Sequence, residues 1–324
     1  MKAVAYDKYG PPDNLRLEEQ ERPEPAHHEL QVRVHAVSLN SWDWERLCGR
    51  PLLARIEAGW QRPVVRVLGA DIAGTVSAVG AGVTGFSVGD RVFADLSDHG
   101  WGGLAEYATV RAELVAHIGE HLDFVAAAAI PQAGSLALQA IAKAAPQPGE
   151  RLLMVGGGGG VGTFAIQLAK AAGAQVTGLD SAEKAEIMRR AGADHVLDYR
   201  QTNYLRAGTR YDVILDCVTR RPVAAWRHAL APRGRMVMIG GTTRAIFAGA
   251  LAGPALSRLS GKSLGLLMYR PNAADLETLG NACQRGDLSP LIDSVHPLEQ
   301  TAEALRRLGS GQVQGKIVLR VFDP

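Results

Sequence analysis

The sequence predicts a two-part α/β protein, in which an antiparallel β domain is followed by a doubly wound parallel sheet. Three observations support this prediction. The 324 residues are 47% hydrophobic and 21% charged, which is a globular composition and enough chain for two domains. From Leu30 to about Val115, short apolar runs are broken by Gly, Pro and Asp. After Pro148, nearly continuous apolar runs alternate with helix-length segments.

The charge balance indicates a small ligand. The 35 Lys and Arg against 33 Asp and Glu give a net charge of +2 without a basic block, so neither nucleic acid nor a membrane is expected as a partner. The start MKAVAYDKYGPPDNL lacks the apolar core of a signal peptide, and no window reaches the ~20 apolar residues of a spanning helix. Three widely spaced cysteines suit a reducing compartment. We therefore expect a cytoplasmic protein that acts on a small molecule.

The elements are predicted in order along the chain. Strand candidates of a small β barrel come first: ELQVRVHAVSLN, DIAGTVSAVG, VGDRVFADL and AEYATV. The helical segment LDFVAAAAIPQAGSLALQAIAKAA marks the junction between the domains. Strand candidates of the parallel sheet follow: RLLMVG, QVTGLD, HVLDY, YDVILDCV, GRMVMIGG and SLGLLMYRP. The tail contains two helix candidates, AADLETLGNACQRGDL and LEQTAEALRRLGSG, and the closing strand GKIVLRV.

The stretch MVGGGGGVGTFAIQLAKAAGAQVTGLD contains five consecutive glycines. A flexible linker would be flanked by polar chain, but here the apolar LLMV precedes the glycines and a helical pattern follows them. The spacing Gly157-x-Gly159-x-x-Gly162, with Asp180 at the end of the next strand, is the dinucleotide fingerprint. The run therefore predicts a phosphate-binding loop.

Each residue of this loop has an expected role. Gly157 permits the tight turn, Gly159 and Gly160 let the backbone approach a pyrophosphate, and Gly162 lets the helix lie close to the sheet. The helix N terminus, near Val161, offers unpaired N–H groups and the positive end of its dipole to the phosphates.

These motifs resemble the medium-chain dehydrogenase/reductase superfamily, specifically its zinc-independent quinone oxidoreductase-like branch. The resemblance extends from Met1 to Val321. Its motifs follow the family's order: LGADIAGTVSAVG, FSVGDRVFA, GGLAEYATV, AAAIPQAGSLALQAI, PGERLLMVGGGGGVGTFAIQLAKAAGAQVTG, GADHVLDYR, YDVILDCV and GKIVLRV. The resemblance implies a GroES-like β-barrel catalytic domain of residues 1–124 and 271–324. A Rossmann dinucleotide-binding domain of residues 125–270 is inserted into it, and the active site lies in the cleft between them.

The residues at the superfamily's zinc positions predict that no metal is bound. Zinc members use a cysteine early in the β domain, a Gly-His-Glu signature and a four-cysteine lobe. Here Asn40 stands at the first position, the signature reads Gly69-Ala70-Asp71, and three scattered cysteines cannot form a Cys₄ site. Asp71 is then expected to support the fold or Arg91.

Without a Lewis acid, hydride addition to a quinone or an activated C=C bond is easier than alcohol oxidation, because it needs only a held cofactor and hydrogen-bond donors. The resemblance implies that the turn Asn40-Ser41-Trp42-Asp43 faces the nicotinamide. Asn40 would orient the nicotinamide or the substrate oxygen, and Asp43 would steady the turn. The alternative is that both residues are turn formers in a loop.

Tryptophans lie in or near segments that resemble the lining of the family's substrate cleft. Trp42, Trp44 and Trp60 predict a flat, apolar or aromatic substrate, and the alternative is that they are core or interface residues. In the same cleft Leu136 replaces a threonine that is usual in the family, and Glu45 lies near the position of a tyrosine common in quinone reductases. No proton donor is therefore assigned.

The sequence contains signals for both nicotinamide cofactors. Asp180 is expected to bind the adenine ribose and to repel a 2′-phosphate, unless it only caps the following helix. Lys184 and Tyr199 resemble residues with which relatives bind that phosphate. A nearby carboxylate costs a phosphate about 1–4 kcal/mol and an exposed lysine returns less, so NADH is favoured while NADPH stays open. Further cofactor contacts are expected from Cys217, Val218, Gly240, Gly241 and Lys316. Lys316 resembles a basic residue aimed at the pyrophosphate, and the alternative is a solvated surface lysine.

The predicted activity is zinc-independent, NAD(P)H-dependent hydride transfer to a quinone or an α,β-unsaturated carbonyl compound. One alternative is an alcohol or aldehyde dehydrogenase-reductase of the same superfamily. The other is a cofactor-binding, redox-sensing or structural module with little catalysis, which the departures at Leu136 and Thr219-Arg220 favour. The strand SLGLLMY resembles one that relatives pair across a two-fold axis, so a homodimer is expected.

Overall fold

The computed structural model describes residues 1–52, 55–203, 208–219, 221, 223–226 and 228–322. Two compact units are formed. Unit 1 consists of Met1–Ser135 together with Pro271–Pro324, and unit 2 consists of Leu136–Arg270. Unit 2 is therefore one stretch of chain inserted in sequence between the two segments of unit 1.

The secondary structure follows the two patterns expected from the sequence. In chain order the strands are β1 (Lys2–Ala5), β2 (Arg16–Glu19), β3 (Glu29–Leu39), β4 (Asp71–Val79), β5 (Arg91–Asp95), β6 (Tyr107–Arg111), β7 (Val115–His117), β8 (Arg151–Val155), β9 (Gln175–Asp180), β10 (His195–Asp198), β11 (Tyr211–Asp216), β12 (Leu230–Met238), β13 (Ser263–Leu266), β14 (Ile292–Pro297) and β15 (Lys316–Arg320). The helices are α1 (Ser41–Cys48), α2 (Arg55–Ala58), α3 (Phe124–Ala128), α4 (Pro131–Ala144), α5 (Gly160–Ala171), α6 (Ala185–Arg190), α7 (Val223–Trp226), α8 (Thr243–Ser260), α9 (Ala273–Gln284) and α10 (Thr301–Gly309).

Unit 1 is built on a mostly antiparallel sheet with the strand order β14-β15-β3-β4-β5-β7, in which β6 also pairs with β3. The alternate residues Leu30, Val32 and Val34 of β3 are fully buried, as expected for one face of a strand that covers a core. The tail strand β15 pairs antiparallel with the end of β3, and β4 pairs with β3 on the other side. These two pairings bring the strand ends near residue 40 together.

Unit 2 is a parallel sheet with the strand order β10-β9-β8-β11-β12-β13. Leu153, Ile214 and Met236 on its inner strands are buried, because helices cover both faces of such sheets. The strand order reverses at β8, and doubly wound sheets bind ligands at this point, beyond the carboxyl ends of the strands. The predicted fold class, a doubly wound parallel sheet inserted into a β domain, is confirmed.

The first change of unit lies between Ser135 and Leu136, inside α4, whereas the sequence predicts it after residue 124. The difference arises because α3 packs on β3 and β4 of unit 1. An Ala-rich helical pattern does not reveal which sheet a helix covers. Among the described residues, no helix combines the length and apolar character that crossing a bilayer requires.

Candidate functional site

The glycine loop follows β8 at the switch point of the unit 2 sheet. Gly156 has a φ of +80°, a left-handed conformation that favours glycine, and the backbone N–H groups of Gly156 and Gly157 both donate to the Leu179 carbonyl at 2.9 and 3.2 Å. Gly156 is therefore the left-handed residue, and Gly157 lies within the turn that the Gly159 N–H closes by donating to the Gly156 carbonyl at 3.2 Å. The fingerprint fixes the register of the motif, but the left-handed residue lies one position earlier.

Gly162 and Gly159 differ in the space available for a side chain. A Cβ on Gly162 would lie 2.7 Å from the backbone of Gly157, so this position requires glycine for the approach of α5 to the loop. A Cβ on Gly159 would have the Gly156 carbonyl oxygen, at 3.6 Å, as its nearest neighbour. The protein therefore leaves open space beside Gly159. Next to this space are the first N–H groups of α5, from Gly160 and Val161, which have no acceptor within the helix.

Asp180 ends β9 and lies beside this loop. Its Oδ2 accepts a hydrogen bond from the Gly158 N–H at 3.1 Å, and its Oδ1 accepts one from the Ser181 N–H at 2.8 Å. The Lys184 ammonium lies 3.8 Å from Oδ2, and a Cβ on Gly158 would be 2.5 Å from the Lys184 side chain. The backbone N–H of Tyr199, after β10, donates to the Asp180 carbonyl at 3.1 Å. The structure thus brings Asp180, Lys184 and Tyr199 to one edge of the sheet.

The ends of β11 and β12 lie on the other side of the loop. The Cys217 N–H donates to the Val155 carbonyl at 3.1 Å, and the Val218 side chain lies against Gly156. Burial raises the pKa of the Cys217 thiol, which makes it a poor nucleophile. After β12, the Gly240 N–H is 3.4 Å from the Asp216 carbonyl, and Gly241 has a φ of +143°.

Asp216 is a residue of this edge that the sequence reasoning missed. It is fully buried, and its Oδ1 accepts hydrogen bonds from the N–H groups of Val218 and Thr219 at 2.9 and 2.8 Å. These bonds hold the turn after β11, in which Thr219 has a φ of +29°. An acidic residue at the end of the apolar strand YDVILD was the available signal. Arg220, in the same motif, lies outside the described residues.

A second cluster lies in unit 1 around Asn40. The sheet register places Ile317 opposite Leu39 and Asp71 opposite Ser38, so Lys316 and Asp71 flank the residue that follows β3. The Lys316 Nζ donates to the side-chain oxygen of Asn40, to the Leu39 carbonyl at 3.3 Å and to Asp71 Oδ2 at 3.3 Å. Lys316 is only 2% exposed, so it is not a solvated surface lysine.

Asp71 supports the fold through partners other than Arg91. Its Oδ2 accepts from the Ser38 hydroxyl at 3.1 Å, and its Oδ1 accepts from the Gln132 N–H at 3.0 Å. The Arg91 guanidinium instead donates to main-chain carbonyls, of which that of Leu122 is the nearest at 2.6 Å. Only knowledge of the strand register could have found the pairing of Asp71 with Lys316.

The Asn40 turn is held by Asp43 on the first turn of α1. Asp43 Oδ2 accepts from the Asn40 N–H and Oδ1 accepts from the Gly69 N–H, both at 2.8 Å. Asp43 is fully buried, and this burial raises the pKa of its carboxyl to about 7 despite the two donors. Asn40 itself is 7% exposed, and its Nδ2 is buried without an acceptor among the described residues.

The residues expected to line the substrate cleft have different surroundings. Trp42 and Trp44 are partly buried against the core of unit 1. The Trp44 ring packs on Gly309 of α10, as expected if Trp44 is a core residue. Trp60, after α2, is 65% exposed, whereas Leu136 is buried in α4. Glu45 is exposed on α1.

Comparison with known proteins identifies the family. The model of the alcohol dehydrogenase GroES-like domain matches residues 26–120, and that of the zinc-binding dehydrogenases matches residues 191–319. The chloroplast envelope quinone oxidoreductase homolog of Arabidopsis thaliana is 33% identical, over 98% of this chain and 98% of its own. The chain belongs to the medium-chain dehydrogenase/reductase superfamily, in its quinone oxidoreductase-like branch.

Other proteins also match nearly the whole of this chain. The quinone oxidoreductase from Coxiella burnetii has a TM-score of 0.89 and 29% identity to this chain, covering 99% of each. The NADPH-dependent alkenal/one oxidoreductase of Arabidopsis thaliana chloroplasts is 29% identical, over 98% of this chain and 79% of its own. The predicted resemblance is confirmed, and the β domain of unit 1 is the GroES-like domain of the superfamily.

Proposed function

We propose that this chain reduces quinones or α,β-unsaturated carbonyl compounds with a nicotinamide cofactor and without zinc. One observation carries the proposal. At the position that resembles the first zinc ligand, the Asn40 amide is held by the buried Lys316 ammonium, and its NH₂ group has no acceptor among the described residues. A fixed donor of this kind suits a carbonyl oxygen on which negative charge develops.

The edge of unit 2 fits a dinucleotide. The open space beside Gly159 and the N–H groups of Gly160, Val161 and Gly162 would hold the pyrophosphate, because they form an uncrowded helix N terminus. Asp180 would accept hydrogen bonds from the adenine ribose. The nicotinamide side of the site would be lined by Cys217, Val218, Gly240 and Gly241. When bound, the reduced nicotinamide supplies the hydride.

NADH is the favoured cofactor, and NADPH is accepted more weakly. The Asp180 carboxylate ends β9 where the ribose hydroxyls of a dinucleotide bind, and its charge repels a 2′-phosphate. Lys184, 3.8 Å from Asp180, reduces this repulsion without removing it. Tyr199, at the same edge, offers a further contact to the adenosine end.

The residues of unit 1 do not fit zinc. The side chains around Asn40 include two carboxylates. That of Asp71 is already neutralised by the Lys316 ammonium, and both oxygens of Asp43 already accept backbone N–H groups. Bringing Zn²⁺ to this place would set two cations against each other, and zinc prefers Cys and His ligands. Among the described residues, no group of three or more His, Cys, Asp or Glu side chains could hold a metal ion.

A homodimer is proposed from the edge of the unit 2 sheet. β13 is the last strand in the order, so no described strand pairs with its outer side. On that side the Leu264 N–H donates to the Ser257 hydroxyl at 2.9 Å, and the Lys143 ammonium donates to the Leu266 carbonyl at 2.8 Å. Met268, two residues beyond β13, is 72% exposed. A second copy related by a two-fold axis would replace these side-chain bonds by pairing the two edges, and it would cover Met268.

The proposed reaction is tested by following NADH and NADPH oxidation with 1,4-benzoquinone, 9,10-phenanthrenequinone, an alkyl enone and a saturated aldehyde, each with and without a chelator. We expect turnover of a quinone or the enone that prefers NADH and is insensitive to the chelator. Chelator-sensitive turnover of the aldehyde alone would indicate an alcohol dehydrogenase instead. Cofactor binding without turnover of any acceptor would indicate a binding module.

A further inference from the structure

The Lys316 ammonium uses all three of its protons inside unit 1. Its acceptors are the side-chain oxygen of Asn40, the Leu39 carbonyl and the Asp71 carboxylate. Burying a lysine is costly unless its charge is paired and its protons are bonded, and here both conditions are met. No N–H group of Lys316 is left over for a pyrophosphate in this arrangement. A different role therefore has to explain why the charge is buried at this place.

The ammonium decides which way the Asn40 amide faces. An ammonium has donors and no acceptor, so only the carbonyl oxygen of the amide can face Lys316. The NH₂ group must then point to the opposite side, where its nitrogen is buried without an acceptor among the described residues. A neutral side chain at position 316 would remove the charge that holds the amide oxygen on this side.

The position of the ammonium is itself fixed from the neighbouring strand. Asp71 starts β4, where the Gln132 N–H donates to its Oδ1 and the Ser38 hydroxyl donates to its Oδ2, the oxygen that also accepts from Lys316. Lys316 starts β15, on the other side of β3. The two strands thus hold the ion pair against Asn40, the residue that follows β3, and the backbone of Asn40 is held separately by Asp43.

We propose that Lys316, anchored by Asp71, is a positioning residue that makes Asn40 a hydrogen-bond donor to the carbonyl oxygen of the substrate. This inference rests on the proposed function. As hydride forms a new bond to the quinone or enone, the π electrons of the conjugated carbonyl system shift so that one pair moves onto that oxygen, and a preoriented N–H stabilises the negative charge there. The anion then takes up a proton from water. The positive charge behind the amide strengthens the donor. Asn40 touches the substrate, and Lys316 acts only through Asn40.

A double-mutant cycle in the full-length protein tests this coupling. Lys316→Met and Asp71→Asn are made together, so that no buried charge is left unpaired, and the pair is combined with Asn40→Ala. Removing one preorganised donor costs about 10²-fold in kcat, so we expect Asn40→Ala to lower kcat for 9,10-phenanthrenequinone by about that factor. The pair K316M/D71N should lower kcat by about tenfold or more in the wild-type background and have almost no effect in the Asn40→Ala background. The Kd for NADH should stay unchanged in all three variants.

Independent effects would overturn the inference, because a purely structural ion pair lowers kcat by the same factor with or without Asn40. A weaker Kd for NADH in Asn40→Ala would also overturn it, since the donor would then serve the cofactor. If wild-type protein turns over no quinone or enone, the proposed function fails, which is a distinct result.

A second measurement needs only one variant and applies if K316M/D71N does not fold. The wild-type protein is labelled with ¹⁵N-asparagine, and the side-chain NH₂ signals of Asn40 are assigned with Asn40→Ser. Addition of NAD⁺ and 9,10-phenanthrenequinone should shift these signals, and NAD⁺ alone should not. Asn40 NH₂ signals whose chemical shifts do not change when the quinone is added would contradict the donor role.

Discussion

At the scale of single residues, the cluster around Asn40 combines what the sequence reveals with what it hides. The spacing of Asn40 and Asp43 predicts a stabilised turn, and the Asp43 carboxylate does bond the Asn40 N–H. The same sequence places Lys316 on the surface or at a pyrophosphate, because 276 positions separate it from Asn40. Its true partners follow from the register of β15 on β3, and a single sequence does not encode register in any local pattern.

Replacing Asp43 by Asn is expected to destabilise the protein. Both carboxylate oxygens accept backbone N–H groups, from Asn40 and Gly69, whereas an amide has only one oxygen. One buried N–H would face the NH₂ group, which costs about 1–3 kcal/mol. Urea unfolding should show this loss as a lower midpoint with an unchanged slope. Asp98→Asn, at an exposed acidic residue, is the control and should leave the midpoint unchanged.

The stability of the wild-type protein should also depend on the pKa of Asp43, which burial raises to about 7. The folded state then binds a proton more tightly than the unfolded state, so the contribution is fully present below the unfolded pKa and is lost as pH rises through about 7. Compared with Asp43→Asn, the wild type should therefore lose relative stability between about pH 4 and pH 7. Urea midpoints of the two proteins measured across this range check the direction of the change. A stability advantage of the wild type over Asp43→Asn that grows with pH would contradict the prediction.

Asp180 and Lys184 should have opposite effects on the cofactor preference, with Asp180 favouring NADH and Lys184 favouring NADPH. Asp180→Ser removes the charge that repels a 2′-phosphate and leaves Lys184 free of its 3.8 Å partner. The ratio of kcat/KM for NADPH to that for NADH should rise by about tenfold or more, which corresponds to ~1.4 kcal/mol. Adding Lys184→Gln should remove most of this gain. An unchanged ratio in Asp180→Ser would exclude Asp180 from the adenosine site.

At the scale of elements, strands and helices of unit 2 were predictable because their apolar runs have strand length and are separated by helical patterns. The position of each turn was less predictable. The five glycines allow several registers of the left-handed residue, and the hydrogen bonds to the Leu179 carbonyl select Gly156. Likewise, α3 has the composition of its neighbour α4 and still packs on the sheet of unit 1.

Two alanine substitutions in the glycine loop should separate folding from cofactor binding. Gly162→Ala puts a methyl group against the backbone of Gly157, so we expect a loss of about 1–3 kcal/mol in the free energy of unfolding. Gly159→Ala meets no atom closer than 3.6 Å, so the fold should stay within about 1 kcal/mol of the wild type. The added methyl fills the proposed phosphate space and should raise the Kd for NADH by about tenfold, or ~1.4 kcal/mol. Calorimetric Tm and Kd values measure both effects, and a Gly159→Ala protein that binds NADH normally would contradict the proposed site.

At the scale of the whole molecule, the insertion of one unit into the other was predicted by the resemblance to the superfamily, because the pattern of GKIVLRV alone indicates a closing strand and not which sheet it joins. Association between copies was not predictable from residue patterns, because an edge strand has the same sequence pattern whether or not it pairs with a second copy. β13 ends the unit 2 sheet, and the apolar Met268 stays exposed just beyond it. An exposed apolar side chain beside the edge of a sheet is a liability in a monomer, since it favours association.

Met268→Asp is therefore expected to weaken a homodimer that pairs two β13 edges. A carboxylate placed at the two-fold axis meets its own copy, and like charges that are partly removed from water repel each other. Sedimentation velocity should give about twice the 34.4 kDa chain mass for the wild type and a monomer–dimer mixture for Met268→Asp at the same micromolar concentration. Val88→Asp is the matched control, because Val88 is similarly exposed, at 67%, but lies in unit 1 far from β13 in sequence. It should leave the mass unchanged. A wild-type monomer would contradict the dimer, and a dimer that tolerates Met268→Asp would place its interface elsewhere.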